Sequence, residues 1–137
     1  GKKCETYSYS NMMYQEAIMS DSQTCAICIS YSGVSNELIE TAKLLKNNDV
    51  PIIAITSIGE NDLSKISNVK LSLTTREKSY TKIAGFSTIE SISLVLDILY
   101  SCYFASNFDN HFAYKTKVAE STEKRKKTNI IIDEISD

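Results

Sequence analysis

The sequence has few of the residues that interrupt or specialise a fold. Its 137 residues include four glycines, one proline, one histidine and no tryptophan, which excludes collagen-like, linker-like and low-complexity chains. Its uninterrupted apolar runs stay far below the roughly 20 residues that cross a bilayer, and no signal peptide is visible. We therefore expect a soluble, cytoplasmic protein without membrane contacts.

Net charge and chain length further limit the classes of protein to which this sequence can belong. Lys and Arg total 15 against 17 Asp and Glu, so the formal net charge of −2 removes non-specific polyanion binding as a default function. The composition of 42% hydrophobic and 23% charged residues predicts a globular chain with a core, of the size of one ordinary domain. The chain opens on Gly1 rather than Met, and we expect it to be part of a longer protein.

Cysteine and histidine offer little metal or redox chemistry. The cysteines are Cys4, Cys25, Cys28 and Cys102, in a chain too apolar for a disulfide scaffold. Cys25 and Cys28 form a C-x-x-C pattern inside a predicted strand, where residues three apart point to opposite faces. We expect buried structural thiols there, a surface position for His111, and no metal site.

Short apolar runs alternate with helical periods along the chain. The predicted strands are Cys4–Ser8, Thr24–Tyr31, Val50–Thr56 and Val69–Leu73. The predicted helices are Asn11–Met19, Asn36–Asn47, Asp62–Ile66, Phe86–Ser106 and Asp109–Lys127. Because the strand Thr24–Tyr31 hardly alternates, we expect it to be covered on both faces. The order predicts an α/β fold, a parallel sheet between helices in a three-layer α/β/α sandwich.

The remaining segments carry weaker signals. Thr74–Gly85 is polar and predicted to be a loop, and the tail Thr128–Asp137 fits either an edge strand or a disordered segment. The helix Phe86–Ser106 has a broad apolar face, which predicts packing on the sheet and against a partner subunit. The basic run Lys124–Lys127 favours a solvated helix end over a nucleic-acid contact.

The loop after the most apolar strand concentrates hydroxyl groups at the start of a helix. It reads S-Y-S-G-V-S-N-E over Ser30–Glu37. Free N–H groups and the positive end of the helix dipole favour an anion there, above all a phosphate, and Gly33 permits a tight turn. The alternative is a plain strand-to-helix turn in which Ser35 or Asn36 caps the helix. Neither a Walker loop nor a G-x-G-x-x-G fingerprint is present, so no nucleotide cofactor is expected.

Five segments of this sequence resemble the sugar isomerase (SIS) domain family. They are I-S-Y-S-G-V-S-N-E at Ile29–Glu37, A-K-L-L-K at Ala42–Lys46, V-P-I-I-A-I-T at Val50–Thr56, D-L-S-K-I-S-N-V at Asp62–Val69 and L-D-I-L-Y at Leu96–Tyr100. The pattern is most similar to the effector domain of RpiR-type transcriptional regulators. The resemblance covers about Lys2–Ser106 and implies a flavodoxin-like sandwich that binds phosphorylated sugars; we assign residues 1–127 to this domain.

The resemblance also implies a set of site residues. Those matching the phosphosugar-binding positions are Ser30, Tyr31, Ser32, Gly33, Ser35, Thr56 and Ser87. Glu77 falls near the acidic residue that isomerase members use for proton transfer. Regulators carry a hydroxyl followed by Arg at the start of the long helix, whereas Ile89 follows Thr88 here, which puts a basic ligand contact in doubt.

The resemblance finally implies an organisation and a function. The first strand–helix unit of an SIS domain, and a helix-turn-helix DNA-binding domain, are expected upstream of Gly1, with the chain forming a homodimer or homotetramer. The leading hypothesis is a phosphosugar-sensing domain that meets DNA only through that upstream domain. The alternatives are a sugar-phosphate isomerase using Glu77, a dimerisation unit built on Phe86–Ser106, and an unrelated flavodoxin-like module.

Overall fold

The computed structural model describes residues 2–74 and 85–126, with side chains as far as residue 123. The helices are α1 (Ser10–Met19), α2 (Asn36–Asn47), α3 (Asp62–Ile66), α4 (Phe86–Ala105) and α5 (Phe108–Lys126), and the strands are β1 (Ala26–Ile29), β2 (Ile52–Ser57) and β3 (Val69–Leu73). The predicted bounds of α2, α3 and β3 are confirmed. Glu77 and the tail Thr128–Asp137 lie outside the described residues.

The three strands form one parallel sheet in the order β1-β2-β3. In this register Cys28 lies beside Ala54, and Ile55 lies beside Leu71. Helices connect consecutive strands, α2 between β1 and β2 and α3 between β2 and β3, as parallel pairing requires. The predicted α/β class, a parallel sheet flanked by helices, is confirmed.

The core lies between one face of this sheet and the first three helices. The sheet contributes Cys28, Ile52 and Ala54, and the helices contribute Ala17, Ala42, Leu45 and Leu63. Three of these residues are alanines that are 0% exposed, and such small side chains let helices approach the sheet closely. Burial of the larger ones supplies the main stabilising free energy, about 1.5–3 kcal/mol for each Leu or Ile.

Helix α2 carries the amphipathic pattern that the sequence predicts. Ala42 and Leu45 are buried, while Glu40 and Lys43 are exposed. The helix ends at Asn47 as predicted, and Asp49, two residues later, adopts a left-handed conformation with φ 56. Asp tolerates this conformation, as Asn does, because its short polar side chain bonds locally.

Strand β1 is shorter and less covered than its apolar sequence predicts. It spans four residues, and Ile27 and Ile29 are 42% and 40% exposed. The expectation that this strand is covered on both faces was wrong, because α1, α2 and α3 all pack on the face that carries Cys28. The predicted strand Cys4–Ser8 was also wrong: its side chains are mostly exposed and it pairs with no described strand.

Helix α4 is the most exposed apolar element of the described chain. Thr88 is its one buried residue, and Phe86 and Ile89 are 75% and 62% exposed. The expectation that these two side chains pack on the sheet was wrong. In the described residues α4 is one helix long and apolar enough to cross a membrane, by length and composition alone, with a mean hydropathy of 1.3. Core helices of soluble proteins pass the same test.

The described chain divides into two compact units, Cys4–Asp97 with the sheet and a second formed mainly by residues from Ile98 on. In the second unit, Phe104 contacts the ring of Phe108 with centroids 5.6 Å apart. His111 is half-buried rather than a simple surface residue: its ring stacks on Tyr103, and its Nδ1–H donates to the Phe104 carbonyl at 3.0 Å. These contacts hold the turn between α4 and α5.

Cysteine reactivity follows from the packing. Burial raises the pKa of the Cys28 thiol from 9.0 to about 11, with a smaller contribution from Cys25. Cys28 is buried, whereas Cys4, Cys25 and Cys102 are exposed, so the expectation of a buried thiol holds for Cys28 and was wrong for Cys25.

We predict that iodoacetamide at pH 8 modifies Cys25 and leaves Cys28 unmodified in the native protein, since the thiolate is the reactive species. Peptide mass spectrometry of the labelled chain measures both sites, and labelling in denaturant is the control. Equal native labelling of both cysteines would contradict the buried position of Cys28.

The raised pKa also links the stability of the fold to pH, because the folded protein holds the Cys28 proton more tightly than the unfolded chain does. This contribution to stability is fully present below pH 9 and is lost as the pH rises from about 9 to 11.

Candidate functional site

The loop between β1 and α2 is anchored to the carboxyl end of β2. The N–H of Ser30 donates to the Ile55 carbonyl, and the N–H of Ser57 donates to the Tyr31 carbonyl, both at 3.0 Å. These two bonds continue the β1–β2 ladder past the end of β1. Ligands of parallel α/β sheets bind beyond such strand ends, so the loop lies where a ligand site is expected.

Gly33 provides the turn in this loop. Its φ of 65 is left-handed, a conformation that side-chain-bearing residues adopt at a cost. Its N–H donates to Ser30 Oγ at 3.2 Å, and its carbonyl accepts from the N–H of Leu63 at 3.0 Å. Because Ser30 Oγ acts as the acceptor in that bond, the bond leaves its hydroxyl proton available for a ligand oxygen.

The N-terminus of α2 opens into the same loop. Ser35 occupies the N-cap position but makes no capping hydrogen bond; its hydroxyl lies 3.3 Å from Glu37 Oε2 and donates to it. The Ser35 side chain therefore does not form the predicted cap, and the choice between an anion site and a plain strand-to-helix turn stays a prediction. The first backbone bond of α2 runs from the Ile39 N–H to the Ser35 carbonyl, so the amides of residues 36–38 have no acceptor within the helix.

The other predicted site residues occupy different environments. Ser32 is exposed at the loop surface, and Tyr31 is half-buried. Thr56 is 0% exposed, and its hydroxyl donates to the Tyr31 carbonyl at 3.3 Å. Ser87 lies in the first turn of α4 with an exposed side chain. The structure thus brings Ser30–Ser35 and Thr56 together, and the ligand roles of all these residues stay predictions.

Asn61 belongs to this cluster and was missed by the sequence analysis. Its side-chain Nδ2 donates to Thr56 Oγ1 at 2.9 Å, and its Oδ1 accepts from the Ser64 N–H at 3.0 Å. The Ser64 hydroxyl accepts from the Asn61 N–H in return, which completes a capping box at the start of α3. The Asn-x-x-Ser spacing signals that cap, whereas the contact with Thr56 has no sequence signal.

The chemistry of this cluster is that of a neutral hydrogen-bond donor site. Serine hydroxyls and helix N-terminal amides donate to an anion without carrying a charge themselves. Glu37, in the first turn of α2, is the acidic residue bonded to the loop through Ser35. No group of three or more potential metal ligands occurs in the described ranges. The arrangement suits recognition of an oxyanion such as a phosphate monoester.

These features define an α/β domain whose hydroxyl-rich loop lies at the carboxyl end of its sheet and leads into the uncapped N-terminus of α2. The SIS domain profile matches residues 1–102, and this chain belongs to the SIS domain family. The resemblance found in the loop and strand motifs is therefore confirmed.

Two HTH-type transcriptional regulators and one isomerase are similar to this chain. One HTH-type transcriptional regulator, from Caldanaerobacter subterraneus subsp. tengcongensis, is 25% identical over 126 residues, 92% of this chain and 44% of the relative. Another, from Clostridium perfringens, is 31% identical over 110 residues, 80% of this chain and 39% of the relative. An arabinose 5-phosphate isomerase from Francisella tularensis subsp. tularensis is 47% identical over 47 residues, 34% of this chain and 14% of the enzyme.

A solved structure matches nearly the whole chain. It is the Vibrio vulnificus NanR protein complexed with ManNAc-6P, with a TM-score of 0.76, 25% sequence identity and coverage of 96% of this chain and 48% of that one. The chain thus spans less than half the length of these relatives. It has the SIS fold, and it is similar to two HTH-type transcriptional regulators and to NanR.

Replacing Gly33 tests the loop geometry. A Cβ at Gly33 would lie 2.1 Å from Asn61 Oδ1, and the backbone φ of 65 disfavours any L side chain. We predict that Gly33→Ala destabilises the protein by about 2–4 kcal/mol, since the left-handed backbone costs about 1–2 kcal/mol and the overlap adds about as much. Urea denaturation measures the loss.

Gly59→Ala is the matched control. Gly59 also has a positive φ, of 99, but a Cβ there meets nothing within 4 Å. Because its φ lies outside the left-handed region that L residues tolerate, the backbone cost at Gly59 is at least that at Gly33, and no overlap is added. A larger loss in Gly33→Ala than in Gly59→Ala therefore reports the overlap, whereas a loss in Gly33→Ala of about 1–2 kcal/mol, the backbone cost alone, would show that Asn61 does not press against the Gly33 turn.

Proposed function

We propose that this chain binds a sugar phosphate at the loop Ser30–Ser35 and acts as the ligand-sensing domain of a transcriptional regulator. The observation that carries the proposal is the likeness to NanR in its complex with ManNAc-6P, which extends over 96% of this chain. The similarity to two HTH-type transcriptional regulators supports the same reading. The uncapped N-terminus of α2 supplies the donors that a phosphate requires.

Phosphate recognition at this loop uses direct and supporting residues. Ser30, Ser32 and Ser35 donate hydroxyl protons to phosphate oxygens, together with the first amides of α2. In the structure the Ser35 hydroxyl donates to the Glu37 carboxylate. This hydrogen bond must break before the hydroxyl can donate to the ligand. Gly33 and the buried Thr56 shape the backbone beneath the ligand. Tyr31 and Ser87 belong to the phosphosugar-binding residues in this proposal as well.

The regulatory role places further requirements on the whole protein. In this proposal a helix-turn-helix domain outside these 137 residues contacts DNA, and the protein works in the cytoplasm as a homodimer or homotetramer. The sugar phosphate acts by binding one arrangement of the DNA-binding domains more tightly than another. The domain itself is not an enzyme in this proposal.

A sugar-phosphate isomerase is the second candidate function, because a 47-residue stretch is 47% identical to arabinose 5-phosphate isomerase. Isomerisation requires a base that removes a carbon-bound proton. The hydroxyls of the loop are poor bases, and the candidate base, Glu77, lies outside the described residues. Regulators that match 80–92% of this chain outweigh this short match.

We predict that a sugar phosphate raises the melting temperature of the protein and that Ser32→Ala weakens this binding about tenfold or more. A ligand at a hundred times its Kd adds about 2.7 kcal/mol of stability, and one hydrogen bond to a charged oxygen contributes about 1.5–3 kcal/mol. Thermal melting against a panel of sugar phosphates that includes ManNAc-6P measures both effects.

Ser121→Ala is the control for the serine substitution. Ser121 is an exposed serine of α5 whose hydroxyl donates to the Lys117 carbonyl, so its loss should leave ligand binding unchanged. Unchanged affinity in Ser32→Ala would refute the site assignment. If the protein converts an aldose or ketose phosphate and Glu77→Gln abolishes this activity, the protein is an isomerase and the sensor proposal is wrong.

A further inference from the structure

We infer that Asn61 is a positioning residue that holds the loop Ser30–Ser35 in the conformation that accepts a phosphate. This inference rests on the proposed function. It states that a residue outside the loop, in the segment between β2 and α3, holds the loop in place. Asn61 precedes α3, and its half-buried side chain lies against the backbone of Gly33.

The amide of Asn61 is fixed at both ends. Its Nδ2 donates to Thr56 Oγ1 at 2.9 Å, and its Oδ1 accepts from the Ser64 N–H at 3.0 Å. These two bonds determine which end of the amide faces which partner, because only the nitrogen donates and only the oxygen accepts. The side chain therefore presents a rigid surface to the loop.

The donor end of the amide sets the direction of the next hydrogen bond. Since Nδ2 can only donate, Thr56 Oγ1 accepts from it, and the Thr56 hydroxyl proton is left to donate to the Tyr31 carbonyl at 3.3 Å. The N–H of Ser57 donates to the same carbonyl at 3.0 Å. Asn61 thus fixes the backbone at Tyr31 through the buried hydroxyl of Thr56.

The acceptor end bounds the Gly33 turn. A Cβ on Gly33 would lie 2.1 Å from Oδ1, so the amide occupies the space beside the turn. Two residues further along the chain, the Leu63 N–H donates to the Gly33 carbonyl at 3.0 Å. The segment Asn61–Leu63 therefore contacts the loop directly at Gly33, after Ser32, and reaches Tyr31, before Ser32, through the Thr56 hydroxyl. A loop already held in its binding conformation binds its ligand without the free-energy cost of ordering it.

Three variants of the full chain test this inference. Asn61→Ala removes both ends of the amide. Asn61→Asp keeps the cap of α3, because Asp accepts from the Ser64 N–H, but it cannot donate to Thr56. Asn48→Ala is the matched control: its Nδ2 donates at 2.9 Å to the Ala17 carbonyl, at the other end of α2 from the loop.

Two measurements read the result. Amide hydrogen exchange of residues 31–35, without ligand, reports whether the loop is held, and titration with inorganic phosphate and with ManNAc-6P reports affinity. We expect Asn61→Ala to speed loop exchange and weaken binding, each by about tenfold, with Asn48→Ala within twofold of the original protein. Asn61→Asp should keep its melting temperature and still speed exchange of residues 31–35. Because its added carboxylate repels a phosphate by itself, this variant is judged by loop exchange and not by affinity.

The outcomes separate this inference from the proposed function. If the loop amides of Asn61→Ala and Asn61→Asp exchange as slowly as those of the original protein, the positioning role is overturned. This holds whether or not the protein binds phosphate. Faster loop exchange with unchanged affinity overturns it as well. Failure of the original protein to bind either probe overturns the phosphate site, while hydrogen exchange still decides whether Asn61 holds the loop. If Asn61→Ala fails to fold, Asn61→Asp alone decides the question.

Discussion

The close contact between the Asn61 amide and the backbone of Gly33 is the constraint on which the site depends. Gly33 adopts a left-handed turn with the amide beside it, and a Cβ would have no room. The turn leads the chain from the end of β1 into α2 and leaves the first amides of the helix open. Ser30 precedes this turn and bonds to its Gly33 N–H, and Ser35 follows it at the start of α2.

The pairing of β1 with β2 holds the loop in position for this contact. β1 and β2 pair in parallel, so the loops that follow them emerge at the same edge of the sheet. Ser30 and Tyr31 bond to the backbone of Ile55 and Ser57 in β2. Thr56, near the end of β2, bonds to both Tyr31 and Asn61. The face of these strands opposite to Ile27 and Ile29 packs against a core that contains alanine, Leu and Ile side chains. This packing keeps β1 and β2 in register.

Local patterns predicted much of this fold, and tertiary contacts account for what they missed. α2, α3 and β3 have the predicted bounds, because periodicity, capping residues and short apolar runs act within a few residues. The exposure of Ile27, Ile29 and Phe86 depends on which elements pack against them, which an apolar sequence does not specify. Asn61 joins the site through contacts with Thr56 and Gly33 that span separate segments. The family resemblance supplied the site serines, but it carried no information about that contact.

The account's central claim is that a phosphate group binds at the N-terminus of α2. Backbone amide NMR of the isotope-labelled protein, titrated with ManNAc-6P and in parallel with the unphosphorylated sugar, tests it most directly. The account predicts that the phosphorylated sugar shifts the amides of residues 32–38, at the loop and the first turn of α2, and that the unphosphorylated sugar does not. Shifts confined to other residues, or equal shifts with both sugars, would contradict it.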